Sequence, residues 1–336
     1  MAEKSHNNNL LEAFVKRLHL PWYGVTTAVA VILVLLLIII ALLDGALTQR
    51  FEWNFWRAGL QPLVIIIYIF AIYPLMKRLW DRAILVYLPL LNLEEGTQSD
   101  LIVNLSKSNR HWEWIALISG AVFAVGISQP WAWVNQWLDG YVTLTNMLLF
   151  ATLGWLIYNS LSSARHLSWL NRQLNELDIF DNGSLAPVGH WSLAVSLAFL
   201  GGICISVAFQ PLESLLEWQS ILIYSILISS TVVVFFISMW STHSAIARIK
   251  KRELDVARKN LLNTSRELKE KTVTGQTAGI ERLYSAVAAW GVYERRVQEA
   301  REWPYNSSII RRLLISVLSP VVVYIIKVLS GLRLGF

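Results

Sequence analysis

The chain has 336 residues, 55% of them apolar and 15% charged, with 16 tryptophans, one cysteine and a net charge of +6. This balance excludes an ordinary soluble domain, in which charged residues make up about a quarter, and a lone Cys204 excludes a disulfide framework within the chain. The predicted fold is all-α, a polytopic membrane helical bundle of seven spans, and the positive charge is assigned to membrane topology and not to nucleic-acid binding.

The first 22 residues are polar and then amphipathic, ending on the interfacial pair Trp22-Tyr23, and they read as a disordered tip. Apolar runs of about 18 to 22 residues, long enough to cross a hydrocarbon core of roughly 30 Å, begin near Val25, Gln61, Trp114, Val142, Trp191, Gln219 and Ile309. The first, 25–43, is too long for the core of a signal peptide and is read as a retained, peripheral, lipid-facing helix. The second, 63–76, contains Pro74, which is expected to kink or end it. The apolar piece 83–93 holds Pro89 and is too short to span, which places it at the interface or beneath the bundle.

The third and fifth runs share the same ends, His111-Trp112 with Gln129-Pro130 and His190-Trp191 with Gln210-Pro211. Ile72-Tyr73 and Ile157-Tyr158 close the second and fourth. A duplicated helix pair in parallel orientation accounts for this pattern. Gly120, Gly126, Gly201 and Gly202 would allow close helix approach, which makes the third and fifth helices the expected packed centre. Leu167, Leu170, Leu174 and Leu177 extend the fourth helix beyond the membrane as an amphipathic rod.

Lysine and arginine set the orientation. Lys4, Lys16 and Arg17 precede the first span, Lys77, Arg78, Arg82, Lys107 and Arg110 lie between the second and third, and Arg165 and Arg172 between the fourth and fifth. The opposite loops carry Arg50 and Arg57 against Asp44, Glu52, Asp139, Glu213 and Glu217. Because cytosolic loops hold the excess of positive charge, the N-terminus and residues 242–303 are predicted to be cytosolic, in a plasma or inner membrane, with the C-terminus outside.

The chain divides into a six-span domain, 1–241, a helical insertion, 242–303, and a last membrane helix with its tail, 304–336. In the insertion Leu254, Leu261 and Leu268 recur at heptad spacing, with Ala257 and Thr264 in the second seam position. The pattern breaks at the glycine- and threonine-rich run 272–279 and resumes at Ile280, Leu283, Val287, Trp290 and Val297. An antiparallel coiled-coil-like hairpin follows, its arms each about 35 to 45 Å long. One narrow stripe predicts a partner for it, a second copy of the chain or another coiled-coil protein, besides the lipid bilayer itself.

No metalloprotease, nucleophile-elbow or phosphate-loop motif is present, six histidines are scattered, and no enzyme activity, cofactor or metal is expected. Essentially no ionised residue falls within the first six spans, which disfavours a proton-coupled mechanism. The seventh helix differs: on a 100° wheel Arg312, Ser316, Ser319, Lys327 and Ser330 share one face. Ser225 and Ser229 in the sixth helix, with Ser230 and Thr231, would supply a second polar wall. These residues predict a channel or facilitator whose cationic ends favour small anions. The alternative is a membrane-embedded scaffold or sensor working through the hairpin.

Overall fold

The computed structural model describes residues 10–17, 21–45, 53–90, 109–128, 137–174, 186–215, 217–275 and 279–300, with the single residues 180, 302, 315 and 322. Helices make up almost all of them, with no strand among the described residues: α1 (Leu10–Arg17), α2 (Trp22–Leu43), α3 (Trp53–Leu90), α4 (Arg110–Ser128), α5 (Trp137–Gln173), α6 (Ala186–Phe209), the single turn α7 (Leu212–Leu215), α8 (Trp218–Val273) and α9 (Ile280–Glu299). Six of these, α2 to α6 and α8, are long and apolar enough to cross a membrane, as a multi-pass membrane protein requires. The expected seventh span, 309–332, lies outside the described residues apart from Ile315 and Val322, as do Leu177 and the connection at 303–306.

Four helices close into a ring. α3 packs on α6, α6 on α8, α8 on α5 and α5 back on α3, while α2 covers α3 and α5 and α4 lies against α5. The centre of the ring is filled by Ile66, Trp155, Val195 and Val234. A residue lining such a ring contacts side chains from several helices at once, and this dense dispersion contact replaces the hydrophobic drive that is absent in lipid.

α3 departs from the sequence reading. The span 63–76 and the piece 83–93 were expected as separate elements, but one 38-residue helix runs through Pro62, Pro74 and Pro89. Proline at 74 removes the N–H that would bond the carbonyl of Phe70. The Trp22 indole N–H of α2 donates to that carbonyl at 2.6 Å, and its ring stacks on Phe70 and Tyr73. An unpaired carbonyl in hydrocarbon costs several kcal/mol, so a side chain from the neighbouring span removes the reason for the helix to end.

The N-terminal segment is also more ordered than expected. Residues 10–17 form α1, whose Glu12 accepts a bond from the Tyr73 hydroxyl at 2.9 Å and pairs with Lys77 at 2.6 Å. The Leu10 N–H, at the first turn of α1, donates to Oε2 of Glu113 at 2.8 Å. A carboxylate at a helix N-terminus satisfies donors the helix cannot and complements its dipole. Glu113 is 1% exposed, a buried ionisable residue at the start of the third span that the sequence reading passed over.

The expected centre is half right. α6 is enclosed as deeply as α3, with Ser192, Ser196, Val188 and Val195 fully buried. α4 is the rim instead: Glu113 and Ala124 are its buried residues, and Trp112, Trp114, Ile115, Ile118 and Val122 are exposed. Its attachment is through backbone. A Cβ at Gly120 would run into the Phe150 carbonyl, and one at Gly154 into the Ala116 carbonyl, so glycines on both helices let α4 and α5 touch main chain to main chain. Gly126 meets nothing. The two copies of the proposed repeat therefore occupy unlike places, because bulky aromatics turn α4 outward where α6 has serine and alanine.

α8 runs 56 residues without a break, and α9 returns antiparallel along its far half. Arg258 pairs with Glu294 at 2.8 Å, the Tyr293 hydroxyl donates to Glu253 at 3.0 Å, and Lys250 donates to the carbonyls of Gln298 and Ala300 at 2.8 and 2.9 Å. Ala257 and Val297 are fully buried, whereas Leu254, Leu261, Leu268, Ile280, Leu283, Val287 and Trp290 are half-buried. Two helices alone have one seam and no second layer to cover it. The reversal uses Gly275 and Gly279 at φ of 67° and 86°, left-handed conformations that favour glycine.

Candidate functional site

The end of the ring away from the hairpin is hollow. A cavity of about 470 Å³ lies among α3, α5, α6 and α8, with the last turn of α4 at its side. Its apolar floor is Leu156, Phe199 and Leu227. Beyond that floor the packed layer of Trp155, Val195 and Val234 begins.

The upper wall is polar and connected. Gln61 Nε2 donates to Ser206 Oγ at 3.3 Å, Ser206 Oγ lies 3.0 Å from the Tyr224 hydroxyl, and that hydroxyl donates to Gln210 Oε1 at 2.6 Å. Gln210 Nε2 reaches Ser220 Oγ at 3.5 Å. Helices α3, α6 and α8 are thus joined by one chain of amides and hydroxyls, each able both to donate and to accept. Asn146 of α5 adds a further amide to the lining.

Two backbone features shape the wall. Pro62 has no N–H to return to the Ala58 carbonyl, and both residues line the cavity, which leaves an acceptor that helix α3 itself does not use. Gly201 lets Tyr68 lie flat across α6: a Cβ there would meet the Tyr68 hydroxyl, which donates to the Ala198 carbonyl at 3.0 Å. The lining carries one ionised group, Glu217, exposed at the mouth. An amide and hydroxyl wall over an apolar floor suits an uncharged molecule with one hydrogen-bonding end.

Among the described residues, those singled out in the sequence as pathway-lining lie elsewhere. Ser225 and Ser229 are exposed on α8, in an open groove against Ile157 and Leu161 of α5, on the outside of the ring. Thr231 turns inward and bonds back to the Leu227 carbonyl at 2.8 Å. Arg312, Ser316, Ser319, Lys327 and Ser330 lie outside the described residues. Among the described residues no group of three His, Cys, Asp or Glu side chains is placed to hold a metal ion.

The sequence reading missed Gln61, Tyr68, Ser206, Gln210 and Tyr224. One signal was available: Gln61-Pro62, Gln129-Pro130 and Gln210-Pro211 repeat the same dipeptide at the same end of three spans, and two of those glutamines form the wall. No family model, curated protein or solved structure matches this chain.

Proposed function

We propose that the protein is a membrane-embedded sensor, in which a small uncharged, largely apolar molecule bound in the cavity alters the hairpin through α8. One observation carries this reading: α8 supplies Ser220, Ile223, Tyr224 and Leu227 to the cavity wall and continues unbroken to Val273 at the hairpin tip. A helix is stiff over this length, so a tilt at the wall is delivered to the far arm without an intervening hinge. The excess of lysine and arginine on the hairpin side supports a cytosolic hairpin. Leu262, Tyr284 and Val292, exposed outside the seam, support its pairing with a second copy of the chain.

The test uses the full chain in liposomes, with Cys204 replaced by serine and spin labels on cysteines at Arg165 and Leu262, both exposed. Adding a medium-chain alcohol, or filling the cavity with Ile223→Trp, is expected to shift the distance between the labels. The matching medium-chain carboxylate, and Ile228→Trp on the exposed side of α8, are expected to leave it alone. An unchanged distance under both the alcohol and Ile223→Trp removes the sensor reading. Anion flux into the same liposomes that Lys327→Glu abolishes would replace it with the pathway reading.

A further inference from the structure

The outer seam between α5 and α8 is an unfilled groove along most of its length. Its apolar part is lined by Ile157 and Leu161 of α5 with Ile221, Ser225, Ser229 and Val233 of α8. At the hairpin end a second concavity of about 510 Å³ continues along the same two helices. Here the chemistry changes: Arg172 and Arg248 face the opening with the hydroxyls of Ser168, Ser241 and Ser244, beside the indole of Trp240. None of the lining residues is acidic, and the carboxylate of Glu302, nearby in sequence to the hairpin base, is engaged by Lys250 at 3.2 Å.

Arg248 is held in place rather than free to roam. Its Nη1 donates to the Arg172 carbonyl at 3.1 Å and its Nη2 to the Asn171 carbonyl at 3.3 Å, so it caps the C-terminal end of α5, where a cation is favoured. A guanidinium carries five N–H donors in a planar fork, and those not used by the two carbonyls remain for a ligand. The Asn171 side chain beneath it bonds Ser241 and Thr242 at 2.9 and 3.0 Å, which fixes the hydroxyl side of the concavity. Trp240 is 66% exposed, as expected of an indole at the boundary of the hydrocarbon.

We infer that this seam is a binding site for one anionic phospholipid, its phosphate held by Arg172 and Arg248 with the serine hydroxyls and its acyl chain lying in the groove along α8. Size agrees with this. From Phe236 to Ile221 the groove runs about 22 Å along the helix axis, enough for a chain that crosses one leaflet of about 15 Å. Charge selects the headgroup: two arginines offer bidentate contacts that a phosphodiester accepts, while a zwitterionic headgroup brings its own cation to a site already positive. The site is separate from the cavity and on the other side of α8, so it stands whether or not that cavity binds anything.

Native mass spectrometry of the detergent-solubilised full chain, titrated with phosphatidylglycerol or phosphatidylcholine of identical acyl chains, tests the inference. One phosphatidylglycerol is expected to bind roughly tenfold more tightly than phosphatidylcholine, and glycerol phosphate without acyl chains is expected not to bind in the same range. Arg172→Gln and, separately, Ser244→Glu should bring the two lipids to equal affinity, with both residues exposed and therefore tolerant of change. Lys259→Gln, which removes the same charge from the distant arm, should keep the preference. Val233→Trp should weaken both lipids by filling the groove. Equal binding of the two lipids to the native chain, or a preference that survives Arg172→Gln and Ser244→Glu, overturns the assignment. So does a photoreactive side chain at Ser229 that captures residues 309–332 instead of lipid.

Discussion

The two ends of the four-helix ring use the same chemistry to opposite effect. At the hairpin end Asn171 accepts from the Tyr87 hydroxyl at 2.8 Å and donates to Ser241 and Thr242, joining α3, α5 and α8 where the interior of the ring is filled. At the other end Gln61, Ser206, Tyr224 and Gln210 join α3, α6 and α8 around a cavity of about 470 Å³. Polar ties between helices therefore do not by themselves make a site. What separates the ends is the layer beside the tie: Trp155, Leu167 and Leu170 fill it at one end, whereas at the other the side chains of Leu156, Phe199 and Leu227 line an open space without filling it. A filled end is bistable only at the cost of its packing, while a hollow end can change occupancy.

The contrast can be broken most severely at Asn171. Asn171→Leu removes the bond that the buried Tyr87 hydroxyl donates to residue 171, while Ser241 and Thr242 keep their bonds to the Ser238 carbonyl. A loss of about 2 to 3 kcal/mol is expected, read as an earlier midpoint in SDS-driven unfolding in bicelles. A midpoint equal to that of the native chain would mean that the hairpin end is not held by this tie.

A smaller effect sharpens the comparison at the hollow end. Gly201→Ala pushes the Tyr68 hydroxyl away from the Ala198 carbonyl and should cost about 1 to 2 kcal/mol. Gly202→Ala, next in sequence, meets only Tyr68 Cε1 at 3.8 Å, ordinary contact, and should stabilise by roughly 0.5 kcal/mol through helix propensity. Opposite signs at adjacent glycines, measured by the same unfolding, are the expected result. Equal destabilisation would show that the space beside Gly202 is already occupied.

The smallest effect belongs to the hairpin. Arg258→Ala breaks the pair with Glu294, but the arginine side chain is 54% exposed, and less than about 0.5 kcal/mol is expected. The change should shrink further at high salt. A loss as large as that at Asn171 would mean that the arms are coupled to the ring more tightly than a single half-covered seam allows.

Much of this architecture is legible in one dimension. The spans follow from the length of apolar runs, and the hairpin from the spacing of Leu254, Leu261 and Leu268 with the break at 272–279, because both signals are local. The continuity of α3 is not local. It depends on Trp22, 48 residues before Phe70 in the chain, which restores the bond that Pro74 removes. The cavity is hidden for the same reason: Gln61 and Ser206 are 145 residues apart, and no periodicity in either helix announces their meeting. The likeness between the third and fifth spans misled because ends such as His-Trp and Gln-Pro report a membrane boundary, whereas the choice between rim and centre is made by the residues between them. Trp114 and Ile118 face outward in α4, while Ser192 and Ser196 sit inside in α6.

The length of α8 has an electrical consequence. From Thr242 to Val273 its outer arm is about 47 Å long, while charges in physiological salt are screened over about 8 Å. Arg248 and Lys250 at its base and Lys269 and Lys271 near its tip therefore do not sense one another through solution. One helix carries two electrically separate groups of charge: a charged ligand met at the base of the arm is not felt at its tip, nor the reverse, through the solution between them.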